Sequence, residues 1–546
     1  MVLRPSSRRV FLQQSAVFGA ALLPFGRFAS GAEAAKEEPA ENPLRSAMER
    51  VHRCCLAWLN PDEHFLPTGG YETAHDTGRW WDSMLRCEAV TGLPIPKQAE
   101  EAMLENLRAM TDNPAALLTN VFGPPSAYRV NLHNIRETLL TYTALVKYRK
   151  SDWACGQGRK LIAAVGGLLN PDGQLDYARL GVLMEGRPVN QDPLMVPSAP
   201  EGQWFDSTAT TGRAMEGMVW FSEATGDADA MQLAGRLADI HLRNIIDPGG
   251  RVRAELLDPG HVGHNHSYCG MLRGLVLYGL ASGERRYVDA VAKTYRNGLW
   301  GTTISRSGWT PHDLGKARFP NEDGDPLGEH GSCSDVVQLA LWLGLRDGQT
   351  DLLDDTERLI RARLLPAQMN DPDHPRNHGA WGVYSHPYGR GSTFDVFAAV
   401  LHCLSDVSKN AVTVAADGTV SVNLHFGCDT PELSVQSKRG DSATVVIVPK
   451  RSFPLRVRVP AWTARDSVQI RVDEKPVPLH WDGSYLALDA AHVAAGRPVT
   501  LQHDLPSTET VEEMPVSKKK FRLAWRGDEV VACDPCVPIY PCAGKA

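Results

Sequence analysis

A helical toroid followed by a β-sandwich, mainly α with a separate β domain, is the architecture that this sequence predicts. Three observations carry the prediction. Residues 45–410 repeat one amphipathic helical design, irregular Pro-, Gly- and aromatic-rich stretches separate the repeats, and beyond residue 410 the apolar period changes to two.

The repeating helices are "GRWWDSMLRCEAVTG", "HNIRETLLTYTALVKYRKSD", "GRAMEGMVWFSEATGD", "HSYCGMLRGLVLYGLASGE" and "CSDVVQLALWLGLRDGQ". Each places apolar residues at i, i+3, i+4 and i+7, and most stop at a Gly-bearing turn. Second helices follow several of them, as in "ADAMQLAGRLADIHLRNII", "RRYVDAVAKTYRNGL" and "DLLDDTERLIRARLL". Hairpins this apolar on one face must pack on each other, and five or six of them suggest closure into an (α/α)6 barrel. In the β region, "VTVAADGTVSVNLHF" reads as two alternating runs around Asp417-Gly418, a hairpin signal. "ATVVIVP", "LRVRVPAW", "VQIRVDEKPV" and "PVTLQHDL" continue the alternation, so residues 411–546 are expected to form a sandwich-like domain.

The N-terminus carries a different signal. Arg8 and Arg9, then Phe11 and Leu12, precede a short apolar run and the small-residue segment Ala32-Glu33-Ala34. That order resembles a twin-arginine export signal over residues 1–34, with a polar linker over 35–44. A periplasmic or extracellular location follows as an expectation. The formal net charge of -7 and the lack of a basic stripe argue against a nucleic-acid partner. No later segment is apolar for long enough to predict a membrane span in the mature chain. Eleven cysteines are an odd number, so at least one thiol is free or a ligand, and Cys533, Cys536 and Cys542 suggest a local disulfide rather than a zinc ribbon.

Several loops and helix starts combine His, Trp and carboxylates. His133 and Glu137 share one helix face. His261, His264, His266 and Cys269 cluster in "HVGHNHSYCGML", where ligand contact is favoured over a metal. His75 and Asp76 precede Trp80 and Trp81, and Trp309, His312 and Asp313 repeat the mixture, as does the stretch with Trp381, Tyr384, His386 and Arg390. Aromatic faces beside a few polar groups suit a saccharide cleft, so the partner expected is a carbohydrate. Asp76, Trp80, Trp309, His133, Glu137, His264 and His266 are the candidate sugar contacts. Sugar hydrolysis needs two groups flanking one bond, for which Asp313, Glu329, Asp335 and Glu255 are candidates, with Cys333 as an unusual nucleophile.

The mature chain also resembles glycoside hydrolase family 127, whose known members are β-L-arabinofuranosidases. The matching segments run in order: "VNLHNIRETLLTYTALVKY", "HSYCGMLRGLVLYGLASGERRYVDAVAKTYRNG", "SCSDVVQLALWLGL" with "ERLIRARLLPAQM", then "DGTVSVNLHF", "FPLRVRVPAW" and "FRLAWRGDEVVACDPCVPIY". The resemblance implies an (α/α)6 catalytic barrel with β-sandwich domains, and it carries sugar contacts onto His133 and His266. It also implies zinc held by one Glu and three Cys, a Cys nucleophile and a Glu acid. Here the chain departs from the pattern. Cys333 matches the first cysteine, but the Glu two residues earlier is Gly331, and no Cys-Cys pair occurs near "GRGSTFDVFAAVLHC". "SGWTPHDLGKARFP" offers Asp313 but no Glu. Most zinc donors are therefore missing, and Cys333 is left as a weak metal candidate. The expectation is an exported glycosidase acting on a poly- or oligosaccharide, with Asp313 or Glu329 as proton donor. The alternatives are an inactive glycan-binding relative and a polysaccharide lyase on the same scaffold.

Overall fold

Six helices form a closed ring in the computed structural model. It describes residues 42–67, 72–122, 129–171, 175–186, 195–196, 208–257, 262–315, 328–382, 394–514 and 517–543. The expected signal over 1–34 lies outside these residues, as do His261, Tyr384, His386 and Arg390.

The helices are α1 (Pro43–Ala57), α2 (Thr73–Thr91), α3 (Lys97–Met110), α4 (Asn134–Arg149), α5 (Asp152–Leu168), α6 (Tyr177–Glu185), α7 (Arg213–Thr225), α8 (Ala228–Ile245), α9 (Asn265–Ser282), α10 (Arg285–Thr294), α11 (His330–Arg346), α12 (Leu352–Leu359) and α13 (Phe394–Asn410). Going round the ring, α2 packs on α4, α4 on α7, α7 on α9, α9 on α11, α11 on α13, and α13 back on α2. Helices α1, α3, α5, α8, α10 and α12 lie outside it, each packed on a ring helix next to it in sequence or, for α1, on α13 and α2. This is the (α/α)6 toroid expected from the helical repeats.

Chain chemistry explains the two kinds of helix. The outer α8 has a strongly one-sided apolar stripe, started by an Asp227 cap that accepts from the Ala230 N–H at 2.9 Å. The ring helix α9 is buried at every position from Asn265 to Gly279, so its apolar residues run all the way round. Small residues let ring helices approach closely. A Cβ at Gly78 would stand 2.7 Å from the Glu137 Cβ, and one at Gly217 would stand 2.8 Å from the Leu139 Cβ. No described helix is long and apolar enough to cross a membrane.

The strands after the barrel are β1 (Val412–Val414), β2 (Val420–Val422), β3 (Cys428–Asp429), β4 (Leu433–Arg439), β5 (Ser442–Pro449), β6 (Leu455–Arg458), β7 (Gln469–Val472), β8 (Lys475–Pro476), β9 (Trp481–Asp482), β10 (Tyr485–Leu488), β11 (Val499–Asp504), β12 (Ser507–Glu513), β13 (Lys520–Arg526) and β14 (Glu529–Asp534). One sheet has the order β8-β7-β11-β5-β4-β3 and the facing one β9-β10-β6-β2-β1. Their inner faces supply one core that includes Val422, Val445, Leu455, Ile470 and Leu501. The hairpin expected at Asp417-Gly418 is present, with Val412 opposite Val422 and Gly418 at φ +85°.

The last three strands form a separate sheet, β12-β13-β14, outside the sandwich. Met514, Phe521 and Trp525 of this segment pack with Trp309 and Ala362 of the barrel region. The terminal cysteines do make a local disulfide, between Cys536 and Cys542, while Cys533 stays a buried thiol.

Charge pairs fix the sandwich to the barrel. The fully buried Arg458 of β6 bonds Asp354 of α12 and lies 2.9 Å from Glu357. Glu357 also accepts from the His425 N–H.

Candidate functional site

The ring helices all begin at one mouth of the barrel, and the polar candidates gather there. Its floor is an ion network. Three guanidinium groups converge on Glu137 Oε1: Arg79 at 3.0 Å, Arg136 at 2.9 Å and Arg213 at 3.0 Å. All four residues are at most 4 % exposed. Burial pushes the Glu137 carboxyl up, but Arg213, His75, Arg79 and Arg136 outweigh it and hold it well below the ordinary value. Glu137 Oε2 is buried with no hydrogen-bond partner. Deeper in the barrel, Arg273 donates to Asp335 Oδ1 at 2.7 Å and to Glu216 Oε1 at 2.5 Å.

His266 links the two layers. Burial, then the charges of Arg213 and Arg79, keep its pKa well below 6.5. A neutral ring fits its partners: Nδ1 donates to Asp335 Oδ2 at 2.6 Å and Nε2 accepts from Arg79 at 2.8 Å. His133, half-buried at the rim, is held neutral by burial and by Arg213, from which its Nε2 accepts. His75 is brought down to about 4, chiefly by burial, and bonds Asn134 Oδ1 through Nδ1 at 3.0 Å. Asn134 in turn donates to Glu72, whose carboxylate also takes Asn120 and Asn131 amides.

Glu329 sits at the start of α11 and is 3 % exposed. Ser332 Oγ donates to its Oε2 at 2.8 Å, and His264 Nε2 stands 3.6 Å from the same oxygen. Burial pushes its carboxyl up to about 7; His312 and the Ser332 hydroxyl oppose the shift, and Asp395 and Asp335 add to it. His264 and His312 lie above it as a half-buried pair, ring centroids 4.5 Å apart. The backbone explains their meeting, because Val262–His264 pairs with Asp313–Gly315 and places His264 opposite Asp313. The Asp313 side chain lies outside the described residues.

Asp76, on the first turn of α2, is completely buried and neither carboxylate oxygen has a partner. Burial, then the charges of Asp395 and Glu72, push its carboxyl well above the ordinary value. Asp395, absent from the sequence-based candidates, stands on the first turn of α13, half-buried, with Oδ1 buried and without a partner. The four buried arginines were also missed at the sequence level. Their signal is a charge inside a helix with no polar face, as in "CGMLRGLVLYGL".

Other candidates lie elsewhere. Trp80 and Trp81 are completely buried, pack edge to face and belong to the barrel core, so Trp80 does not meet a sugar as expected. Trp309 serves as a core residue against the three-stranded sheet. Glu255 is exposed on a surface turn, with Arg253 at 3.9 Å. His330 turns away from the mouth network, and its Nδ1 bonds the Gly382 carbonyl at 2.8 Å.

Cys333 is fully buried, and a Cβ on Gly308 would lie 3.2 Å from its Sγ. Burial pushes its thiol up to about 12, so it is not an activated thiolate. Cys269 and Cys403, on the flanking ring helices, are likewise pushed well above the ordinary value, first by burial. Among the described residues no three His, Cys, Asp or Glu side chains are grouped to hold a metal ion. Position 331 could not readily take the missing glutamate either, because even a Cβ there would stand 2.9 Å from Glu329 Oε1. The residues present do not fit the zinc site implied by the family resemblance.

A second concavity of about 760 Å³ opens at the opposite mouth, lined by Trp220, Trp342, Arg86, Lys147 and Lys409 among others. Beneath it His402 Nδ1 lies 2.6 Å from Asp82, while Asp406 accepts from Gln338 at 2.6 Å.

No family model matches the sequence. No curated protein matches it either. Solved structures do match in shape. A GH127 β-arabinofuranosidase superposes with a TM-score of 0.57 at 14% identity, over 89% of this chain and 80% of the other. A GH127 β-L-arabinofuranosidase from Geobacillus stearothermophilus T6 gives 0.55 at 12% identity, over 91% and 80%. A further structure described as a glycoside hydrolase gives 0.56 at 12% identity, over 88% and 80%. The chain therefore has a GH127-like fold, a helical toroid joined to β-sheet domains, reached by a sequence that shares few residues with those enzymes.

Proposed function

We propose that this protein is an exported glycoside hydrolase acting on a poly- or oligosaccharide, in the manner of an arabinofuranosidase, with Glu329 as proton donor. The observation that carries this reading is the placement of Glu329. A buried carboxyl that holds its proton up to about pH 7 stands at the barrel mouth under the half-buried His264 and His312. A general acid needs its proton near the operating pH and within reach of a leaving oxygen. His133 and His264 form the rim, while His266, bonded through both ring nitrogens, positions Arg79.

The test is turnover by the purified chain of arabinofuranosyl, other glycosyl and uronate-containing substrates, with and without added zinc. Cleavage that Glu329→Gln abolishes supports the reading. A second reading, a glycan-binding relative without turnover, is favoured by the protonated buried thiols and the missing zinc donors. Binding without cleavage, unchanged by Glu329→Gln, would establish it. An ultraviolet-absorbing unsaturated uronate product would instead mark a lyase.

A further inference from the structure

The mouth holds a second carboxylate placed for chemistry, and neither the sequence motifs nor the family pattern assigns it. Helix α13 packs between α11 and α2, so its first turn lies between the start of α11 and the first turn of α2. Those three helix starts carry Asp395, Glu329 and Asp76. Asp395 Oδ1 and both Asp76 oxygens are buried and without partners, and Asp76 is completely buried. Buried oxygens left unmet are costly, so a donor belongs among them. Protonated Asp76 can donate one hydrogen bond and Asp395 can accept one.

We propose that Asp395 is a further catalytic residue, the base that activates the attacking water opposite Glu329. The inference rests on the glycosidase reading given above. The water oxygen bonds to the anomeric carbon as the glycosidic carbon–oxygen bond breaks. One water proton passes to Asp395, and the Glu329 proton passes to the leaving oxygen. Asp395 ends protonated and Glu329 ionised, and exchange with solvent restores both. No covalent sugar–enzyme bond forms, so the anomeric configuration inverts. The neighbouring charges agree with this arrangement, since Asp395 acts on Glu329, Asp76, His75 and Arg79 alike.

The experiment uses the full chain and whichever substrate from the panel the wild type cleaves. Asp395→Asn is expected to lower kcat about 10²- to 10⁴-fold with KM little changed. The first-formed anomer, read by NMR in the wild type, is expected to be inverted. Asp395→Ala with added formate is expected to regain at least about tenfold in rate, which a misfolded variant cannot do. Near-normal turnover by Asp395→Asn while Glu329→Gln is inactive overturns this proposal and leaves the glycosidase reading standing. A retained anomer overturns the role of base. No cleavage of any substrate by the wild type overturns the parent reading, and this proposal with it.

Discussion

Replacing Glu329 by glutamine tests the state of this carboxyl without any knowledge of the substrate. Glutamine keeps the shape and the oxygen that Ser332 donates to, but it cannot ionise. In the folded chain the Glu329 pKa is raised from 4.5 to about 7. Between these values the folded state holds a proton that the unfolded state has released, so wild-type stability falls as pH rises through this window. A rise from 4.5 to about 7 corresponds to about 3 kcal/mol. Denaturant unfolding of both proteins at several pH values from 4.5 to 8.5 isolates this group with the neighbours coupled to it, because titrations that Glu329 does not touch cancel in the difference. Glu329→Gln is expected to gain stability relative to wild type as pH rises, reaching about 3 kcal/mol above pH 8. A flat difference, or one that falls with pH, would refute the raised carboxyl and with it the proton donor.

Three further outcomes are expected. Glu137→Gln should lose about 3–5 kcal/mol, measured by urea unfolding near neutral pH, since Arg79, Arg136 and Arg213 would keep buried charge with no carboxylate between them. The Glu137 pKa is depressed in the folded state, so the wild-type advantage is present above the ordinary carboxylate value and shrinks as pH falls below it. Cys333→Ala should leave turnover within about threefold, and native Cys333 should resist alkylation at pH 8, because its thiol titrates at about 12; a hundredfold loss of rate in a folded variant would restore it as nucleophile. Trp80→Ala should cost about 3–5 kcal/mol in denaturant unfolding, as expected of a core residue; a cost below about 0.5 kcal/mol would show that the ring is not core.

The helical repeats and the switch to period two were legible because each is a local pattern. Ring closure was inferred from the number of apolar-faced hairpins, because α13 meets α2 across more than 300 residues and no local period encodes such a contact. Glu329, His133, His264 and His266 could be found because unusual polar residues crowd at helix starts. Asp395 escaped notice because "STFDVF" contains one ordinary aspartate, and its meaning comes from helices far away in sequence. Trp80 was misread for the converse reason. A tryptophan beside aspartate suits a sugar platform and a buried helix equally, and only packing separates the two.

The parallel course of the ring helices has an electrostatic consequence. Each helix carries about half a positive charge at its N-terminus and half a negative one at its C-terminus, so six aligned helices set a field along the barrel axis. The chain is written to match it. Asp76, Glu137, Glu216 and Asp395 occupy first turns, and Glu329 stands at the N-cap position of a fifth helix. Lys147, Arg149, Arg346 and Lys409 occupy last turns at the other mouth. The aligned peptide groups therefore do part of a counter-ion's work at the mouth that gathers the carboxylates. That lets several acids share a small space, while Glu329, where burial prevails, stays protonated among them.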